Sequence, residues 1–249
     1  MTTTTLIVLV VVFFLTSVIG VVTGSNSLIA VPAMFQAGIE PREAVATNMF
    51  ALLFMAIGGT IPFARQGKIH YRRLLPLVIL TIISSAIGAA LVGIISGAGM
   101  KLIVTVAMIA VAAFTLVRRN AGVEPAEQRS WTRPLTYLLV FALGICGGLF
   151  SGGYVTVLTT ICVAVAGMTY TEAIGATKFI NVFSCGVAAL IFMWQGLVDY
   201  RLGVILGVTM FIGAYVGAHY ATRLNDIWLR RVFLTTIFLL ALKTAYDLV

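Results

Sequence analysis

Gly20-Val-Val-Thr-Gly24-Ser-Asn-Ser27 interrupts an apolar stretch running from residue 5 to residue 38, and Gly147-Gly-Leu-Phe-Ser-Gly-Gly153 interrupts a second, 135–167. A membrane-crossing helix needs about 20 mostly apolar residues. Each stretch is too long for one such helix. Glycine is a poor helix former, and unpaired backbone groups are tolerated at membrane depth only where protein or a water-filled cavity supplies partners. The pattern predicts two shorter helices in each stretch, meeting at a break inside the membrane.

Outward from the breaks, six apolar segments read as full spans: 41–63, 74–96, 99–117, 171–193, 200–222 and 229–247. The expected organisation is a first membrane repeat over 1–117, a polar cytoplasmic linker over 118–134 and a second membrane repeat over 135–249. The halves match at an offset of 129: Gly38 falls on Gly167, Glu43 on Glu172, Phe50 on Phe179, Gln66-Gly67 on Gln195-Gly196, Tyr71-Arg72 on Tyr200-Arg201 and Gly88 on Gly217. The breaks correspond with a slip of one residue. Apolar residues agree by chance; Gln-Gly and Tyr-Arg at one fixed offset indicate duplication.

Loop charge sets the orientation. Arg65, Lys68, Arg72 and Arg73 lie between two spans, which makes that loop cytoplasmic. The matching loop, Gln195 to Arg201, has lost the positive excess, and the next loop, with Arg223, Arg230 and Arg231, has gained one. Three crossings per copy, with each broken stretch a re-entrant hairpin, would turn the second copy upside down. The fold expected is an all-α integral membrane protein of two tandem, inverted-topology repeats, each a broken re-entrant hairpin plus three transmembrane helices.

Composition agrees: 61% of residues are hydrophobic and 10% charged, whereas soluble domains carry about 25% charged residues. The net charge of +8 reflects the positive-inside bias; nucleic-acid binding is not expected, because the basic residues sit in short loops. Lipid is the expected surroundings. Met1 to Thr5 holds no Lys or Arg, so the apolar run from Leu6 is expected to be retained rather than cleaved. Cys146, Cys162 and Cys185 form no metal or disulfide pattern, and no cofactor is expected.

Helix amino ends carry about half a positive charge and free N–H donors. Two breaks from opposed repeats would bring such ends together, a usual address for a transporter's substrate. The glycines would equally serve close helix packing, but the hydroxyls and amide of Thr23, Ser25, Asn26, Ser27 and Ser151 offer hydrogen bonds that packing does not need. Lys178 is the one Lys or Arg well inside a span. Its stem either snorkels to the surface or the ammonium serves function. The acidic residues lie in loops or at span ends, so none is placed deep in a neighbouring span to pair with it, which favours a small anion over a cation. Thr177, Asn181 and Ser184 form a helical stripe beside Lys178, while Met49 replaces the lysine in the first half, near Thr47 and Asn48. These polar residues could also join helices. A coupling ion would have to use carbonyls, hydroxyls, His219 or Lys178. No enzyme constellation is found.

The first break, then Ala30-Val31-Pro32, Gly38 and Pro41-Arg-Glu-Ala-Val-Ala-Thr-Asn48, resembles the first half of the sulfite exporter TauE/SafE family. Gly148-Leu-Phe-Ser-Gly-Gly153 followed by Glu172-Ala-Ile-Gly-Ala-Thr-Lys-Phe179 resembles its second copy. Here Ser25-Asn26-Ser27 stands where family members often have glycines, and no proline in the second copy matches Pro32. The resemblance implies a multi-pass bacterial inner-membrane permease for sulfite, organosulfonates or related small anions. It places the substrate at Gly24, Ser25, Asn26, Ser27, Thr47, Asn48, Ser151, Gly152, Gly153, Thr177 and Lys178, to which the stripe adds Asn181. An anion channel is the alternative mechanism. A homo-oligomer is left open.

Overall fold

A computed structural model describes residues 2–24, 26–117 and 132–224, with 227, 228 and 231. Ser25, linker residues 118–131 and the expected span 229–247 apart from Arg231 lie outside the described residues. The elements are helices: α1 (Thr3–Thr23), α2 (Ser27–Gln36), α3 (Pro41–Arg65), α4 (Tyr71–Val92), α5 (Gly97–Val117), α6 (Thr132–Leu149), α7 (Tyr154–Ala164), α8 (Tyr170–Trp194) and α9 (Tyr200–Ala221). α1, α3, α4, α8 and α9 are long and apolar enough to cross a membrane.

The second series of elements follows the first closely. α3 and α8 start, and end, at matching positions of the offset, as do α4 and α9. Among the described residues six glycines have positive φ: Gly24, Gly38, Gly67, Gly153, Gly167 and Gly196. The last three sit 129 residues after the first three, so the breaks correspond without the one-residue slip read from sequence. The sequence comparison matched glycines by density; the backbone conformation pairs Gly24 with Gly153, where a left-handed turn lets the chain reverse.

α3 and α8 form the central pair and run antiparallel: Gly59 lies against Lys178, and Gly175 against Phe63. α9 runs parallel to α3, with Gly203 against Phe50 and Gly207 against Phe54. α4 runs parallel to α8, with Tyr71 on Phe179, Ser85 on Ser184 and Gln195 on the Ala90 carbonyl. Two outer contacts use glycine for close approach. Gly88 of α4 meets the backbone of Ile145 on α6, and Gly217 of α9 meets the backbone of Val18 on α1. Lipid-facing stripes follow the same pairing: Leu75, Ile79 and Ile83 on α4, and Val204, Val208 and Ile212 on α9, are all exposed.

α1, at 21 residues, is longer than the short half-helix expected. It still belongs to a hairpin. Its start shares a cavity with Asp199 and Arg201, and the Asp199 N–H donates to Thr47 Oγ1 near the start of α3. The α1–α2 hairpin therefore leaves on the side it entered. The α6–α7 hairpin does the same at the opposite end. α6 runs parallel to α4, Arg73 Nη2 donates to the Ala166 carbonyl at 2.6 Å, and His70 lies 3.5 Å from Glu172.

Candidate functional site

The two hairpin tips meet inside the bundle. Gly24 (φ 72°) ends α1, and its N–H donates to the Gly20 carbonyl at 2.8 Å. A side chain on Gly24 would collide with the Thr156 N and the Val155 side chain at the start of α7. Thr156 Oγ1 donates to the Thr23 carbonyl at 2.7 Å. This bond gives one of α1's terminal carbonyls, otherwise without an intrahelical donor, a partner from the other hairpin.

Beyond the first tip, Asn26 opens α2 with no side-chain capping bond. It is 3% exposed, and neither atom of its amide has a partner. Asn48 of α3 donates from Nδ2 to Ser27 Oγ at 3.0 Å, and its Oδ1 is unpaired. The first N–H groups of α2 lack intrahelical acceptors. Asn26, Ser27 and Asn48 thus form a buried polar cluster with unused hydrogen-bonding capacity. Leaving a buried amide unpaired costs about 1–3 kcal/mol, which a ligand would relieve.

Lys178 approaches the same tip from α8. It is 2% exposed, and its Nζ donates to the Gly20 carbonyl at 3.2 Å. The ammonium does not snorkel. It stops at the carboxyl end of α1, which carries partial negative charge. The nearest described acids, Glu40, Glu43, Glu172 and Asp199, sit at helix starts.

The second tip is more fully paired. Gly153 (φ 78°) precedes α7, and Ser151 and Gly152 are buried beside it. Thr159 donates to the Val155 carbonyl and lies 3.3 Å from the Thr177 hydroxyl, which itself meets the Ile174 carbonyl. Asn181 Oδ1 accepts from Cys185 Sγ at 3.5 Å. The stripe expected from sequence is therefore divided: Thr177 faces α7, Ser184 faces Ser85 of α4 at 2.7 Å, and Lys178 faces α1. Thr47 belongs to neither tip, because its hydroxyl holds the Asp199 N–H. Ser25 lies outside the described residues.

Sequence reasoning missed Thr156, Thr159 and Tyr154, whose buried hydroxyl has no hydrogen-bond partner. Thr156, Thr159 and Thr160 share one helical face, a signal that was available. His70 and Glu172 pair at a surface end, and His219 stacks on Tyr215, so neither histidine joins the tips. Among the described residues no group of His, Cys, Asp or Glu could hold a metal.

The family model for the sulfite exporter TauE/SafE matches residues 9–244. The chain belongs to the TauE/SafE family. "Probable membrane transporter protein ORF9" of Sinorhizobium sp is 30% identical over 211 residues, covering 84% of this chain and 80% of that relative. A relative from Haemophilus influenzae, named in the same terms, is 25% identical, with 94% and 92% coverage. YfcA of Escherichia coli K12 is 23% identical, with 94% and 87% coverage. No solved structure matches the chain significantly. This TauE/SafE protein is a multi-pass membrane transporter.

Proposed function

We propose that the chain is a secondary carrier of a small anion in the bacterial inner membrane, working by alternating access between two inverted-topology repeats. Sulfite, an organosulfonate or a related sulfur-containing or carboxylate anion is the substrate class, following the family. The side carrying Arg65, Lys68, Arg72, Arg73 and Arg223 is then cytoplasmic. The antiparallel run of α3 against α8, and hairpins returning to opposite sides, support the inverted arrangement.

One observation carries the substrate reading. Asn26, buried with both amide atoms unpaired, stands at the amino end of α2 while the Lys178 ammonium is held one helical turn earlier in the same tip. Donors and positive charge converge there without a carboxylate, which suits a small oxyanion. The anion would be held by Asn26, Ser27, Asn48 and the α2 amide N–H groups, with Lys178 balancing charge. Ser151, Gly152, Gly153, Thr177 and Asn181 would shape the facing wall, and Gly24 would set the turn.

The test is a thermal-shift screen of sulfite, thiosulfate, methanesulfonate and acetate on purified protein, followed by counterflow of the best binder in proteoliposomes. Saturable stabilisation and uptake accelerated by internal substrate are expected of a carrier. Flux indifferent to internal substrate would indicate a channel, and absence of any binder would remove the reading.

A further inference from the structure

A buried ammonium needs compensation in every state the protein passes through. Lys178 has the Gly20 carbonyl as its acceptor, and that oxygen also receives the Gly24 N–H. An ammonium has three N–H donors, so it is under-used when the site is empty. Its stem is confined: Gly59 of α3 lies against it, with Cδ 3.6 Å from where a Cβ on Gly59 would stand.

No acid faces it. α1 and α2 contain no titratable side chain. α3 carries Arg42, Glu43 and Arg65 only in its end turns, and α4 carries Tyr71, Arg72 and Arg73 in its first turn. α6 contains Arg133 in its first turn, Tyr137 and Cys146, and α7 contains Tyr154 and Cys162. On α8 itself, Tyr170 and Glu172 lie at the start, and the buried thiol of Cys185 lies seven residues beyond Lys178. That thiol is engaged with Asn181.

We propose that Lys178 is the coupling-proton site: its ammonium stands where a carrier of this architecture would otherwise hold a metal cation, and one proton travels with each monovalent anion. The inference rests on the anion-carrier reading. Unwound carbonyls and helix carboxyl ends are where such carriers place their coupling ions. With the anion seated, ammonium and anion sum to zero charge. When the anion leaves, a lone cation remains in a low-dielectric site, which is costly. Release of one proton to water leaves a neutral amine that still donates an N–H to the Gly20 carbonyl. The empty carrier then returns uncharged. On the other side the amine takes one proton as the next anion binds, so each cycle moves one proton and one monoanion in the same direction with no net charge.

The experiment uses the full chain in proteoliposomes clamped at zero voltage with potassium and valinomycin, with methanesulfonate and ethanesulfonate as probes, monoanions that do not titrate near neutral pH. An inward proton gradient of one unit should sustain about tenfold accumulation of methanesulfonate, the equivalent of 1.4 kcal/mol. Substrate entry should acidify entrapped pyranine. Lys178→Arg keeps the charge but cannot release a proton. It should slow counterflow without abolishing it, and lose pH-driven accumulation. Lys178→Gln, a second variant in case the arginine does not fit, should also lose pH-driven accumulation. Accumulation by wild type that follows sodium instead of pH, or pH-driven accumulation persisting in either variant, overturns the proposal. Counterflow in wild type without proton movement sinks the coupling role alone. Absence of counterflow for both anions sinks the carrier reading beneath it.

Discussion

The two hairpin tips have matching backbones and different chemistry. Gly24 and Gly153 make the same left-handed turn at equivalent positions. Asn26 of the first tip corresponds to Val155 of the second, Ser27 to Thr156, and Asn48 to Thr177. The first tip leaves an amide wholly unpaired and another half-paired. The second uses its threonine hydroxyls on carbonyls and neighbouring hydroxyls, leaving the Tyr154 hydroxyl unpaired. Lys178 belongs to the second half yet its Nζ reaches the Gly20 carbonyl at the first tip. One geometry thus serves two purposes: the second tip holds the first in place, and the first keeps donors free. A paired hydroxyl stabilises the resting fold, whereas an unpaired buried amide destabilises it until something binds.

The largest effect is expected from Gly24→Ala, which attacks the meeting point itself. Left-handed backbone costs an alanine about 1–2 kcal/mol, and the new methyl would strike Thr156 and Val155. Gly38→Ala has the same backbone sign with nothing within 4 Å. Thermal unfolding in detergent should show a much larger loss for Gly24→Ala; equal losses would mean that the tips do not press together.

Next comes Asn26→Leu. A hydrogen bond to a charged group contributes about 1.5–3 kcal/mol, so anion affinity should fall by at least about tenfold, while the empty protein should melt no lower than wild type. Thr159→Val, on the second tip, should behave in the opposite sense: a lower melting temperature and nearly unchanged affinity. If both variants affected affinity equally, the division of labour between tips would be wrong.

Thr156→Val is expected to be milder. It removes one neutral hydrogen bond to the Thr23 carbonyl, worth about 1 kcal/mol, and should lower stability modestly. The smallest effect is expected from His70→Gln at the partly exposed pair with Glu172, within about 1 kcal/mol. A large change in melting temperature there would show that a surface end, and not the tips, holds the halves together.

Much of this was legible in the chain. Apolar length located α3, α4, α8 and α9, and the glycine-rich breaks located both tips. Lys178 stood out because a charge within an apolar span is costly. The extent of α1 was misjudged, because Gly20 reads as a breaker but is tolerated as the last helical turn closes onto its carbonyl. Thr47 and the divided stripe were misjudged because helical spacing gives a residue's azimuth and not its neighbour. Thr47 finds Asp199 across the bundle, a contact 152 positions away in sequence.

The sequence by itself determined the solvent, the number and approximate position of the breaks, and the presence of an intramembrane ammonium. These follow from local quantities: hydropathy, glycine content and a fixed offset. Tertiary structure alone decided which polar groups are already paired and which are free, that Lys178 ends on the Gly20 carbonyl, and that Thr156 ties one tip to the other. Hydrogen bonding is short-ranged and directional, so its partners are fixed only when helices distant in the chain are brought side by side.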